Sequence, residues 1–201
     1  EGVLSRFLNN GWINLLGGCC GTTPAHIEVM CKIAKATKPR VPKENNNSFL
    51  SGIDYMEFGA DGRPFLVGER TNVIGSRKFK KLICDEKFDE ASEIARAQVK
   101  SGAHVIDVCL ANPDRDELKD TEKFLFEVIK KIRAPLMIDS TDEKVIAMAL
   151  TYCQGKAIIN SINLEDGEER YEKVVPLARQ FGAALVVGTI DDDPQAGMAV
   201  T

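Results

Sequence analysis

Two sets of residues in this sequence have the types and spacing to do chemistry. The first is Cys19 and Cys20, adjacent inside Gly-Gly-Cys-Cys-Gly at 17–21. Two thiolates on a sharply turning backbone can bind one zinc ion, and zinc in turn lowers the pKa of an incoming substrate thiol. A third ligand is not evident, and His26, on the helix expected to follow, is not nominated. A glycine-rich turn with two small buried thiols explains the spacing equally well. The second set closes successive apolar runs: Glu69 and Arg70, Asp107, Asp139 and Ser140, Asn160 and Asn163. A carboxylate beside a carboxamide suits a flat heterocycle that presents donors and acceptors along one edge. The plainer reading, that these residues cap turns and helices, applies to any one of them. It weakens when four run ends carry them together. The basic run Arg77-Lys78-Phe79-Lys80-Lys81 reads as solvated surface, and Asp191-Asp192-Asp193 as an exposed loop without metal-ligand spacing.

The elements that must position these groups follow from hydrophobic periodicity. Runs of strand length lie at 65–69, 104–110, 135–140, 157–163 and 184–190. Between them, apolar residues at three and four spacing predict helices marked by Phe88, Ala91, Ile94, Ala95 and Val99; by Leu125, Val128, Ile129 and Ile132; by Val145, Ile146, Ala149 and Leu150; and by Tyr171, Val174, Val175, Ala178 and Phe181. Pro176 is placed to kink the last. Strand alternating with helix predicts parallel βα units with right-handed crossovers, in either an open doubly wound sheet or part of an eightfold barrel. Polar groups at several run ends favour the (β/α)8 TIM barrel, because an open nucleotide-binding sheet would concentrate its signal in one glycine-rich turn. The 137 residues from Phe65 onward are too few for a barrel of about 250, so the barrel is expected to be truncated after about five strands.

Upstream, Trp12, Ile13, Leu15 and Leu16 read as a strand, followed by the glycine-rich loop and a helix with Thr23 as cap and Pro24 in its first turn. Residues 1–38 are therefore expected to be the last βα piece of a second, preceding barrel; an extension packed on the next domain is the alternative. Residues 39–64, rich in Pro, Asn and Gly, read as an interdomain linker or irregular cap, and 65–201 as the main domain. The chain opens without a methionine and closes in an expected loop, which predicts a segment of a longer protein.

Composition excludes several classes. Hydrophobic residues make up 44% and charged residues 28%, ordinary globular usage. Lys+Arg 26 against Asp+Glu 30 gives a net charge of −4, which leaves no overall positive field for nucleic acid. No apolar run approaches the roughly 18 residues of a membrane span. Six cysteines without framework spacing are expected to be reduced thiols in the cytoplasm.

The motifs carry a specific resemblance. Gly-Gly-Cys-Cys-Gly-Thr-Thr-Pro-Ala-His-Ile at 17–27 resembles the closing signature of homocysteine methyltransferase domains. Gly-Glu-Arg-Thr-Asn at 68–72, Ile-Asp-Ser-Thr at 138–141 and Ile-Asn-Ser-Ile-Asn at 159–163 resemble the pterin-binding barrel of methyltetrahydrofolate methyltransferases and dihydropteroate synthases. In this order the two together resemble the cobalamin-dependent methionine synthase family over nearly the whole chain. The resemblance implies a methyltransferase of methionine biosynthesis. Its parent would move a methyl group from methyltetrahydrofolate to cob(I)alamin, held by another domain, and on to homocysteine.

By resemblance Asp139 and Asn160 are the catalytic pair: Asp139 bonds the pterin edge, and Asn160 lies near N5, where protonation eases methyl release. Asp107 is a further pterin contact, with Glu69, Arg70, Asn72 and Asn163 around it. The sequence departs from the family at Cys109, where the family's Asp-x-Asn strand end has its Asn. Cys19 and Cys20 match two zinc cysteines whose third partner lies on a strand not present here, so the zinc site is expected to be incomplete and to bind weakly or not at all. Alternatives kept open are another pterin enzyme, of the corrinoid protein methyltransferase or dihydropteroate synthase type, or a non-catalytic binding fragment that is inactive alone. Exposed barrel edges predict self-association.

Overall fold

The computed structural model describes residues 2–42, 47–58, 63–165, 167–190 and 197–198. Contacts divide the chain between Asn46 and Asn47 into two units.

The first unit holds helices α1 (Gly2–Asn9) and α2 (Pro24–Ala36). Neither helix has a buried residue. The expected strand around Trp12–Leu16 is not formed: those residues are irregular, and Leu15 is 89% exposed. A strand needs a neighbour to take its backbone donors and acceptors, and no strand lies among the described residues of this unit. The helix expected after Thr23 is α2.

The second unit begins with a hairpin, β1 (Phe49–Ser51) and β2 (Tyr55–Glu57), paired antiparallel. It lies in the stretch expected to lack regular structure. Next come β3 (Val67–Gly68), α3 (Arg77–Cys84), α4 (Phe88–Lys100), β4 (Val105–Val108), α5 (Glu117–Val128), β5 (Leu136–Asp139), α6 (Glu143–Tyr152), β6 (Ile158–Ile162), α7 (Glu169–Phe181) and β7 (Ala184–Val187). All five expected strands and four expected helices are present. Pro176 lies inside α7. The unexpected helix is α3, which Ser76 caps by accepting from the Phe79 amide. Its Phe79 and Ile83 are buried while Arg77, Lys78, Lys80 and Lys81 face solvent, so the basic run is the wet face of an amphipathic helix.

The sheet order is β3-β4-β5-β6-β7, every pair parallel. Strands that neighbour one another in chain order, with no reversal point, are successive staves of a (β/α)8 barrel rather than a doubly wound sheet. Five staves do not close, and among the described residues the sheet stays open at β3 and β7.

Period-two alternation sorts the strands' residues between two faces. Ile106, Val108, Leu136, Ile138 and Ile159 join the core formed with α4 to α7, including Ala91, Ala95, Phe124, Leu125, Val128, Ile146, Ala149 and Val174. Phe79 of α3 meets Phe124 of α5 edge to face, ring centroids 5.0 Å apart. On the other face Val105 and Ile158 cluster with Leu50 and Met56 of the hairpin, with Met137 and Ala184 packed against them. The hairpin therefore plugs the amino-terminal end of the inner face. It is fastened there by Ser51 N–H to the Lys156 carbonyl (3.1 Å) and by Ile53 N–H to the Arg133 carbonyl (2.9 Å). The Arg133 guanidinium also grips the Asp54 carboxylate at 2.7–2.9 Å.

Candidate functional site

Two residues beyond the apolar layer of Val105, Met137 and Ile158, the same alternation brings Asp107 and Asp139, near the carboxyl ends of β4 and β5, and Asn160, in the middle of β6, onto the inner face. Asp139 and Asn160 are register partners. The two-residue step that makes the lower layer apolar thus makes the upper one polar.

The polar layer is tied together by Asn72, which follows β3 and bridges to Cys109. Its Nδ2 donates to Asp107 Oδ2 at 3.1 Å and to Asp139 Oδ2 at 3.2 Å. Its Oδ1 accepts from the Ile74 and Gly75 amides at 2.9 and 3.2 Å, so the carboxamide is pinned with its donor end towards the two acids. The loop that carries Asn72 is held in turn. Gln98 Oε1 accepts from the Arg70 amide at 2.7 Å, and the Thr71 hydroxyl donates to the Asp107 carbonyl.

Asp107 is 3% exposed, and its Oδ1 has no hydrogen-bond partner among the described residues. Burial pushes its carboxyl up to about 6; the Asn72 bond opposes the rise, and the Asp139 and Glu69 charges add to it. Asp139 is also raised, chiefly by burial, against hydrogen bonds from Cys109 and Asn72 and the charge of Arg170. The Cys109 thiol, buried and within reach of both acids' charges, is pushed up to about 12, chiefly by burial, which disfavours the thiolate a nucleophile would need. A buried acceptor without a donor, beside a second carboxylate, fits a ligand that brings N–H groups.

The mouth of the site is a cleft of about 310 Å³ lined by Asp139, Ser140, Asn160, Ser161, Asn163 and Arg170 among others. Asn163 Oδ1 accepts from the Glu165 amide at 3.1 Å, a turn-forming role. Asp139 has no such role: Asp142 caps α6 (2.7 Å to Lys144 N), and the Ser140 hydroxyl bonds Glu117 Oε1 (2.7 Å). Glu69 is exposed, and its charge is felt by both buried acids. Sequence reasoning missed Gln98 and Arg170, since a polar residue on an amphipathic helix gives no sign that it turns inward.

Residues 68–201 match the model of the family described as pterin binding enzyme. The chain belongs to the pterin-binding enzyme family. Residues 2–34 match the model described as homocysteine S-methyltransferase, in the same tandem order as in methionine synthase. The two matches together support a methyltransferase of the methionine synthase type. The inner-face layer is therefore the polar end of a pterin-binding barrel, and the Cys19–Cys20 turn falls in the homocysteine-type segment.

That turn shows why its glycines are there. A Cβ at Gly18 would overlap the Thr22 side chain, whose Oγ1 accepts from the Cys19 amide at 2.9 Å, and Gly21 has φ +83°. Cys19 Sγ and Cys20 Sγ stand 3.9 Å apart. Two sulfurs on one tetrahedral zinc at about 2.3 Å each would be about 3.8 Å apart. The pair thus fits one edge of a zinc site. Among the described residues no third His, Cys, Asp or Glu joins it. His26 Nδ1 is engaged with the Thr23 amide at 3.1 Å. All six cysteines are free thiols, and no helix among the described residues is long and apolar enough to cross a membrane. The aspartates at 191–193 lie outside the described residues.

Proposed function

We propose that this chain is the junction of a methionine synthase: the end of a homocysteine-binding domain followed by the first half of the domain that binds methyltetrahydrofolate. The observation that carries this reading is the inner-face layer of Asp107, Asp139 and Asn160, with one Asn72 carboxamide joining the two acids and a buried Asp107 oxygen that has no partner among the described residues. The pyrimidine edge of a pterin offers adjacent ring and amino N–H donors. These are what such an acceptor lacks.

Methyl release from N5 needs positive charge on that nitrogen, since a tertiary amine that departs unprotonated is a poor leaving group. Asn160, which lines the mouth with Asp139, would hydrogen-bond the N5 region and favour its protonation as the bond to the methyl carbon breaks. Cobalamin, carried by another domain of the parent, would supply the nucleophilic metal that accepts the methyl group before homocysteine does. Zinc, completed by a ligand from elsewhere in the parent, would activate the homocysteine thiol at Cys19 and Cys20. The cytoplasm is the compartment that suits six free thiols.

The test is a kinetic split in the parent enzyme. Asn160→Ala should lower the rate of methyl transfer to cob(I)alamin by about 10²-fold, the usual contribution of a positioned proton-handling group, while methyltetrahydrofolate affinity changes far less. An unchanged transfer rate removes Asn160 from this role. A parent that condenses a dihydropterin diphosphate with an aminobenzoate, and does not demethylate methyltetrahydrofolate, overturns the reading.

A further inference from the structure

We propose that Arg170 is a positioning residue of this site, clamping together the two strand ends that present Asp139 and Asn160 to the pterin. The inference rests on the function proposed above. Arg170 is the second residue of α7, and its three nitrogens each take a different backbone carbonyl: Nε to Ser161 at 2.8 Å, Nη1 to Thr141 at 2.7 Å and Nη2 to Ser140 at 2.8 Å. Ser140 directly follows Asp139, and Ser161 directly follows Asn160. One rigid, planar group therefore fixes the backbone next to both side chains at once.

The alternatives for these carbonyls are few. Ser140 and Thr141 lie past the end of β5, and the β6–β7 register shifts between Ile159 and Ile162, so Ser161 sits where the ladder is irregular. Carbonyls left unpaired in a half-buried mouth would either draw in water or relax the loops. A guanidinium fork can serve three acceptors in fixed directions; an ammonium is a point charge on a flexible stem and cannot.

The clamp has a second consequence. Among the described residues Arg170 has no ion-pair partner, and its positive charge favours the ionised form of Asp139 against the effect of burial. Around Asp139 stand the acids Glu69, Asp107 and Glu117 and the Cys109 thiol, and Glu143, Glu165, Glu169 and Lys173 line the same cleft; Lys173, the cation among these, is bound to Glu169 at 2.6 Å and does not replace that charge.

The test uses the full chain as wild type, Arg170→Lys and Arg170→Met, titrated calorimetrically with methyltetrahydrofolate from acidic to neutral pH, with thermal unfolding as the check on folding. Arg170→Met should raise the Kd by about tenfold or more, as loss of fixed geometry does. It should also move the acid midpoint for loss of binding to higher pH, which a merely structural role would not do. Arg170→Lys should keep the wild-type midpoint but recover only part of the affinity, and it carries the test if the Met variant does not fold. Wild-type affinity and midpoint in both variants overturn the inference while leaving the function standing. A folded wild-type chain that does not bind overturns both.

Discussion

Asp107 has one carboxylate oxygen bonded to Asn72 and the other buried without a partner among the described residues, in a layer that also holds Asp139. Such an arrangement opposes folding unless a ligand supplies a donor, which is the sense of its pKa near 6. The sign follows from linkage. A carboxyl raised from 3.8 to about 6 binds more protons folded than unfolded, so its presence weakens the fold as pH rises through that window and the penalty persists above it. Asp107→Asn should therefore stabilise the ligand-free chain at neutral pH by about 2 kcal/mol and by little at pH about 4. Thermal denaturation of both proteins across that range checks it; a constant difference, or a loss at neutral pH, contradicts it. At this scale the sequence shows which residues end the strands. It does not show that Asn72 binds two acids through one nitrogen, because that contact joins residues 35 and 67 positions apart. Cys109 is legible as a departure from the family motif, and only the fold shows its thiol buried where the charges of Asp107 and Asp139 reach it.

Periodicity served the parallel strands and the helices between them well, because α4, α5 and α6 each bury three or four apolar residues on one face and α7 buries Val174 and Ala178 with Tyr171, Val175 and Phe181 packed beside them. It failed at the shorter elements. The hairpin has strands of three residues each, and what holds it is distant: Leu50, fully buried against Val105 and Ile158, and the grip of Arg133 on Asp54. Conversely, an apolar run at Trp12–Leu16 reads as a strand by composition, but its unit provides no ladder to join. Since the hairpin underlies the apolar layer beneath Asp139 and Asn160, Leu50→Ala should destabilise the second unit by about 2–5 kcal/mol. Denaturant unfolding measures this, and amide exchange should show β1 and β2 losing protection first. A loss under about 1 kcal/mol would mean the plug contributes little to the fold.

At the scale of the molecule, five parallel staves leave two sheet edges, β3 and β7, each paired on one side only among the described residues. Val67 is 38% exposed at one edge, and Val186 and Val187 are 36% and 57% exposed at the other. Unpaired parallel edges with exposed valines are templates for strand pairing. The chain on its own should therefore self-associate in a concentration-dependent way, which light scattering over a dilution series reads directly. A monomer throughout removes edge pairing from the account.

The most direct test of the central claim, that the Asn72–Asp107–Asp139–Asn160 layer is a pterin site, is calorimetric titration of the folded chain with methyltetrahydrofolate, with Asp139→Asn beside it. The account predicts saturable one-to-one binding by the wild type and a Kd about tenfold higher in the variant, the consequence of losing a charged hydrogen-bond acceptor. Equal affinity in the two proteins, or no binding by a wild-type chain shown to be folded, would contradict it.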